Sequence, residues 1–167
     1  AMMIVKNRAA SIKWAVYHHK NTAAPATDHL KLNADDATAD DDSTWNDTAP
    51  TSSVFSVGGS TSTNGDSTAY IAYLFAEKQG YSKFGSYTGN NNANGPFIYL
   101  GFKPAWVMVK KYTATNHWII WDNKRATKNG NNIIDKKLYA NLSHAENGAD
   151  DVSFLSSYPQ KSASVLL

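Results

Sequence analysis

No cysteine occurs among the 167 residues. That excludes a disulfide scaffold and any thiolate-based zinc or redox site. Glutamate is confined to Glu77 and Glu146, each following an alanine at the end of a strand or turn. A glutamate pair for glycoside hydrolysis would have to be assembled from these two by the fold. No run approaches the ~18 consecutive apolar residues of a membrane-spanning helix, so no membrane insertion is expected. Ala1 to Arg8 is charged too early to read as a secretory leader. Gly-x-Ser-x-Gly, P-loop and His-Glu-x-x-His patterns do not occur, so no enzyme motif stands out. The net charge of +2 is too small to argue for a nucleic-acid partner.

Serine, threonine, asparagine, tyrosine and tryptophan are plentiful, which favours strands and turns over helices. The chain also repeats itself. "AMMIVKNRAASIKWAVYHHK" from Ala1 and "AWVMVKKYTATNHWIIWDNK" from Ala105 align without a gap. Val5, Lys6, Trp14 and Lys20 recur as Val109, Lys110, Trp118 and Lys124, with apolar exchanges such as Val16 for Ile120. Each copy reads as strand, turn, strand: Met2–Lys6 with Trp14–Tyr17, and Trp106–Val109 with Trp118–Trp121. Leu30–Asn33 finds a counterpart in Leu138–Asn141, and Val54–Ser56 a weaker one in Phe154–Ser156. A period of about one hundred residues is far longer than a solenoid repeat and indicates tandem small β-domains.

Between the copies, Asp35 to Asp47 reads as an acidic loop and Pro50–Val57 as a strand. Asn64-Gly65 reads as a turn, and Tyr70–Ala76 as the strongest strand in the chain, apolar on both faces. Phe84–Tyr87 and Phe97–Leu100 read as a strand pair flanking the Asn- and Gly-rich loop Thr88–Pro96. The expected fold is all-β, an antiparallel β-sandwich in tandem units. Residues 1–80 form most of a first unit lacking its leading hairpin, and 81–167 a second without its closing strand. In the alternative division, 1–104 is one permuted sandwich followed by a partial repeat over 105–167. In that alternative the Phe84–Leu100 hairpin, folded back or supplied by a neighbouring subunit, would complete the sandwich begun by residues 1–77. The mid-phrase start is expected of a piece of a longer chain.

Several long phrases carry a resemblance. Trp45-Asn-Asp-Thr-Ala-Pro-Thr-Ser-Ser-Val-Phe-Ser56, Tyr70-Ile-Ala-Tyr-Leu-Phe-Ala-Glu77, Gly80-Tyr-Ser-Lys-Phe-Gly-Ser-Tyr-Thr-Gly89, Gly95-Pro-Phe97 and Gly101-Phe-Lys-Pro-Ala-Trp106 resemble a repeat of tail-fibre and other virion proteins of tailed bacteriophages. The resemblance implies a concanavalin A-like, jelly-roll type sandwich akin to laminin-G domains, strung as beads in a fibre. It implies a virion location, other virion subunits as partners, a homo-oligomer (a trimer in many fibres) and host-surface glycan as ligand. Function is then expected to be non-catalytic attachment. The alternatives are a purely structural capsid or tail decoration, and part of a polysaccharide-degrading tail component.

Candidate site residues follow from chemistry. Tyr87 and Tyr112 stand beside Asn-rich or polar tips, and with Asn90, Asn91 and Asn92 they are the candidate sugar contacts, ring face plus amide groups. Asp35, Asp36, Asp40, Asp41 and Asp42 are the one dense set of hard oxygen ligands. Calcium is the cation such a set would take, although the spacing fits no EF-hand and a solvated loop is the simpler reading. No other cofactor is expected. His18 and His19 are adjacent, so on a strand they face opposite ways and make a poor metal pair. Trp14, Trp118 and Trp121 read as core. The sequons at Asn46 and Asn141 are expected to be idle.

Overall fold

The computed structural model describes residues 1–92, 94–125, 133–146, 148 and 152–154. Among them the fold is all-β: every strand pairing is antiparallel, one four-residue helix is present, and no sheet closes into a barrel. The chain divides into two compact units. Unit 1 comprises Ala1–Ala76 with Lys111–His117, and unit 2 comprises Glu77–Lys110 with the described residues from Trp118 onward.

Unit 1 holds β1 (Met2–Asn7), β2 (Ala15–His18), β3 (Asp28–Lys31), β4 (Ala39–Asp40), the helix α1 (Asp42–Trp45) and β5 (Tyr70–Phe75). The sheet order is β4-β3-β2-β1-β5. Alternation along the strands puts Met3, Val5, Ala15 and Tyr17 on one face, where they form a core with Trp45. Trp45 meets Tyr17 edge to face at 5.9 Å, and Phe55, Val57 and Tyr70 pack around them. Met2, Ile4, Val16 and Leu30 alternate to the other face and are buried too. The central strands are therefore apolar on both faces, as the sequence suggested.

Helix α1 and β4 lie inside the segment expected to be a plain acidic loop. Asp41 caps the helix, its carboxylate accepting from the Ser43 amide at 3.0 Å and from Thr44 Oγ1 at 2.8 Å. Asn46 ends the helix in the left-handed conformation at φ 54°. Burial of Trp45 draws this turn onto the sheet, which composition could not show. Pro50–Val57 forms no strand, although Phe55 and Val57 serve the core. Tyr70–Phe75 is a strand as expected, but at the sheet edge. Leu74 is 61% exposed and Ile71 and Tyr73 about as open as each other at 40% and 42%.

Unit 2 holds β6 (Trp106–Val109), β7 (Ile119–Asp122), β8 (Ile133–Ile134), β9 (Leu138–Tyr139) and β10 (Val152–Ser153). β6-β7-β9 form one sheet and β10-β8 another. Val107 and Trp121 from the first sheet share a core with Ile134 and Val152 from the second, and with Phe154, which is fully buried. Two sheets contributing to one core is the sandwich arrangement. Phe84–Tyr87 and Phe97–Leu100 form no strands, contrary to expectation. Tyr87, Ile98 and Leu100 instead pack irregularly against the core, in a segment interrupted by Gly85, Gly89, Gly95 and Pro96.

The sequence repeat is a structural repeat. Val16 pairs with Leu30 and Ile120 with Leu138. The His19 amide donates to the Ala1 carbonyl at 3.1 Å, and its counterpart Asn123 to Ala105 at 3.0 Å. The amides of Leu32 and Ala140 donate to the carbonyls of Trp14 and Trp118. Even the turn after the second strand recurs: Lys20 N–H donates to His18 Nδ1 and Lys124 N–H to Asp122 Oδ1. The weaker match of Val54–Ser56 with Phe154–Ser156 does not hold in burial, since Val54 is 63% exposed and Phe154 fully buried. Residues 155 and 156, like Asn129-Gly130, lie outside the described residues.

Candidate functional site

The Thr88–Pro96 loop is shaped by its own amides. Asn92 N–H donates to Asn90 Oδ1 at 3.1 Å, Asn94 N–H to Asn92 Oδ1 at 2.9 Å, and Asn90 Nδ2 to the Asn94 carbonyl at 3.1 Å. These are Asx turns, in which a short amide side chain substitutes for a backbone partner. Asn91 sits at φ 50°, a left-handed position that asparagine tolerates better than most residues. The turned loop encloses an open depression of about 380 Å³ lined by Tyr87, Gly89, Asn90, Asn91, Asn92, Gly95 and Pro96. Tyr87 is anchored against the unit 2 core, and burial pushes its hydroxyl above the ordinary value of 10.0. It is therefore a neutral hydrogen-bonding group through the physiological range. Among the described residues, no carboxylate, imidazole or amine lines the depression. Chemically the site offers amide donors and acceptors beside an aromatic group, and no acid–base pair.

Four of the five expected sugar-contact residues thus come together. Tyr112 is not among the described lining residues and belongs to unit 1, where its carbonyl accepts from the Thr38 amide at 2.9 Å.

The five aspartates expected as calcium ligands have separate positions and tasks. The Asp35 carbonyl accepts from the Asn116 amide at 2.8 Å, within unit 1. Asp36 pairs with Lys31 at 2.9 Å. Asp40 stands across from Asp28 in the β3–β4 pairing, and Asp41 caps α1. Asp42 lines a second depression of about 300 Å³ with Ser43, Asn46, Asp47, Gly58 and Gly59. Among the described residues, no group of three or more His, Asp or Glu side chains is placed to hold a metal ion. The calcium set read from the sequence does not assemble, because capping and cross-strand pairing separate its members.

Other electrostatic features escaped the sequence reading. His29 is held below its ordinary 6.5, first by burial and then by Lys31, with Asp41, Asp28 and Asp36 opposing. For Asp122, burial works against ionisation. The amides of Lys124 and Arg125 and the Arg125 guanidinium outweigh it, so the carboxyl lies below its ordinary 3.8. Hydrogen bonds from the Ser43 and Thr44 side chains and the Ser43 amide hold Asp41 low as well. An Asp-Asp-Ser-Thr string ahead of a tryptophan is a capping signal that could have revealed Asp41. His18 and His19 do not diverge as two strand residues would: β2 ends at His18, and their rings meet edge to face at 5.5 Å.

The family model described as Domain of unknown function (DUF7483) matches residues 1–158. The chain belongs to that family. No curated protein and no solved structure matches it. The DUF7483 match takes in both copies of the repeat, the Asn-lined depression and the acidic segment.

Proposed function

We propose that this DUF7483 chain is a non-catalytic attachment module of a tailed-bacteriophage virion fibre, with host-surface carbohydrate as its ligand. The observation that carries the reading is the depression beside Tyr87: Asn90, Asn91 and Asn92 are gathered at one polar, open site without an acid–base pair. Side-chain amides and a tyrosine suit a polyhydroxylated ligand, and the absence of an ionisable pair among the lining residues favours binding over hydrolysis. The virion context rests on the resemblance of long phrases, Tyr70–Glu77 and Gly80–Gly89 foremost, to phage tail-fibre repeats. On that reading the sandwich is concanavalin A-like and the neighbours are other virion subunits in a homo-oligomeric fibre, a trimer by analogy. A shallow site binds weakly alone, and many copies along a fibre supply avidity.

The test is an array of bacterial surface polysaccharides probed with the full chain displayed in multiple copies. Binding that is lost on joint Asn90→Ala and Asn92→Ala substitution supports the proposal. A silent array with folded, multivalent protein overturns it. Release of reducing ends from any arrayed polysaccharide overturns the non-catalytic part. A second reading, purely structural decoration, is favoured by one feature: the apolar, exposed β5 edge suits contact with another subunit better than contact with water.

A further inference from the structure

The three consecutive asparagines of the depression have different tasks. Asn90 is engaged at both ends of its carboxamide: Oδ1 accepts from the Asn92 amide and Nδ2 donates to the Asn94 carbonyl. Asn92 gives its oxygen to the Asn94 amide. The Asn91 side chain makes no hydrogen bond among the described residues. It is exposed, it lines the same depression, and its backbone stands at φ 50° on the turn built by its neighbours. A carboxamide carries two donor hydrogens and an acceptor oxygen side by side. On Asn91 both ends remain available to a ligand.

The charge of the surroundings restricts what that ligand is. From Phe84 to Phe102 the sequence holds no Asp, Glu, Lys, Arg or His. Lys83, just before this stretch, is paired with Glu77 at 3.3 Å. A carboxylate or phosphate on a ligand would lose water here without meeting a cation among the described lining residues. That costs far more than moving a hydroxyl from water to an amide partner. Sugar hydroxyls both donate and accept, so two neighbouring hydroxyls can meet the oxygen and the nitrogen of one carboxamide. The depression of about 380 Å³ lies near the lower end of the roughly 300–1,000 Å³ of small-molecule sites, room for about one or two sugar rings.

We propose that Asn91 is the specificity-determining residue of the depression, and that its ligand is a neutral sugar unit of a surface glycan, held through adjacent hydroxyls by the Asn91 carboxamide. This deepens the carbohydrate reading and rests on it. Asn90 and Asn92 are positioning residues, whose amides fix the turn that presents Asn91. Tyr87, packed against the unit 2 core, gives the depression a fixed wall. Contacts made of neutral groups leave no ion pair for salt to screen. Affinity is then independent of ionic strength, and uronate or phosphate groups on the glycan weaken it.

The experiment probes an array of neutral and of uronate- or phosphate-bearing bacterial polysaccharides with the full chain displayed in multiple copies, and with Asn91→Gly and Asn91→Asp. Glycine accepts the left-handed backbone and lacks the carboxamide; aspartate keeps the shape and an acceptor but has no N–H to donate. The expected result is stronger binding to neutral than to acidic polysaccharides, weakened about tenfold by either substitution. Thermal melts of the variants should match that of the unaltered chain. The affinity of the unaltered chain should hold steady from about 0.05 to about 0.5 M salt. Acidic polysaccharides bound as well as neutral ones, or binding that falls steeply with salt, overturns this inference and leaves the carbohydrate reading standing. So does undiminished binding by either variant. Heteronuclear NMR separates contact from shape: the Asn91 side-chain amide resonances should move when a neutral hit is added, and resonances that stay fixed at saturation overturn the assignment. An array silent to every polysaccharide overturns the carbohydrate reading itself, and this inference with it.

Discussion

The amide of Trp118 donates to Oδ1 of Asn141 at 3.1 Å, as the amide of Trp14 does to Oδ1 of Asn33 at 2.9 Å. In each copy an asparagine just past the third strand satisfies the N–H that opens the second. The setting differs: the Trp118 bond is part-buried and the Trp14 bond exposed. An unmet buried donor costs more than one that water can reach. Asn141→Ala is expected to lower stability by about 1–2 kcal/mol and Asn33→Ala by about 0.5 kcal/mol. Urea unfolding of the two variants measures both, and equal losses would contradict the burial argument.

Asp41 holds α1 at its start through the Ser43 amide and the Thr44 hydroxyl. Asp41→Ala is expected to cost about 0.5–2 kcal/mol, and Asp41→Asn much less because asparagine also caps well. Chemical denaturation of the pair would show the order, and a neutral alanine variant would mean the cap contributes nothing.

Gly58 faces the backbone of Ser43, and an added Cβ would lie 2.7 Å from the Ser43 carbonyl carbon. Backbone cannot yield as a flexible side chain would. Gly58→Ala is expected to destabilise by about 2 kcal/mol or more, whereas Gly59→Ala, with open space around it, stays within about 0.5 kcal/mol. Paired thermal melts check the contrast.

Acid should lower the protein's stability in two stages. His29 has a lowered folded-state pKa, so its contribution is complete above 6.5 and is lost as pH falls through its depressed value. Asp41 and Asp122 are also lowered, so theirs is complete above 3.8 and disappears below it. His29→Gln should remove the first stage and leave the second. Unfolding midpoints measured from neutral pH down to the carboxylate range would reveal it, and a flat profile between 6.5 and 3.8 would count against the role given to His29.

Asn90 and Asn92 shape the depression without serving the core. Joint Asn90→Ala and Asn92→Ala substitution should weaken binding of a polysaccharide hit at least about tenfold, equivalent to ~1.4 kcal/mol. Stability should stay nearly unchanged. Calorimetry with that polysaccharide and a thermal melt separate the two effects.

The strands of the repeat were legible because alternation and a second copy constrained them twice. Met2–Asn7 and Trp106–Val109 emerged where apolar residues and turn residues placed them. The Asn-rich loop was legible too, since asparagine and glycine at that density have few other uses. What remained hidden depended on neighbours distant in the chain. Tyr70–Phe75 reads as buried because it is apolar on both faces, yet among the described strands it stands at the end of its sheet beside β1 and is largely exposed. Phe84–Tyr87 and Phe97–Leu100 have strand-like composition, but a strand needs a ladder partner and they use their side chains for packing instead. The aspartates look like one ligand set because they are close along the chain. Local sequence sets which groups can bond; the folded backbone chooses their partners, and it gave the Asp41 carboxylate to a helix cap and that of Asp36 to a lysine, and placed Asp40 in a strand pairing.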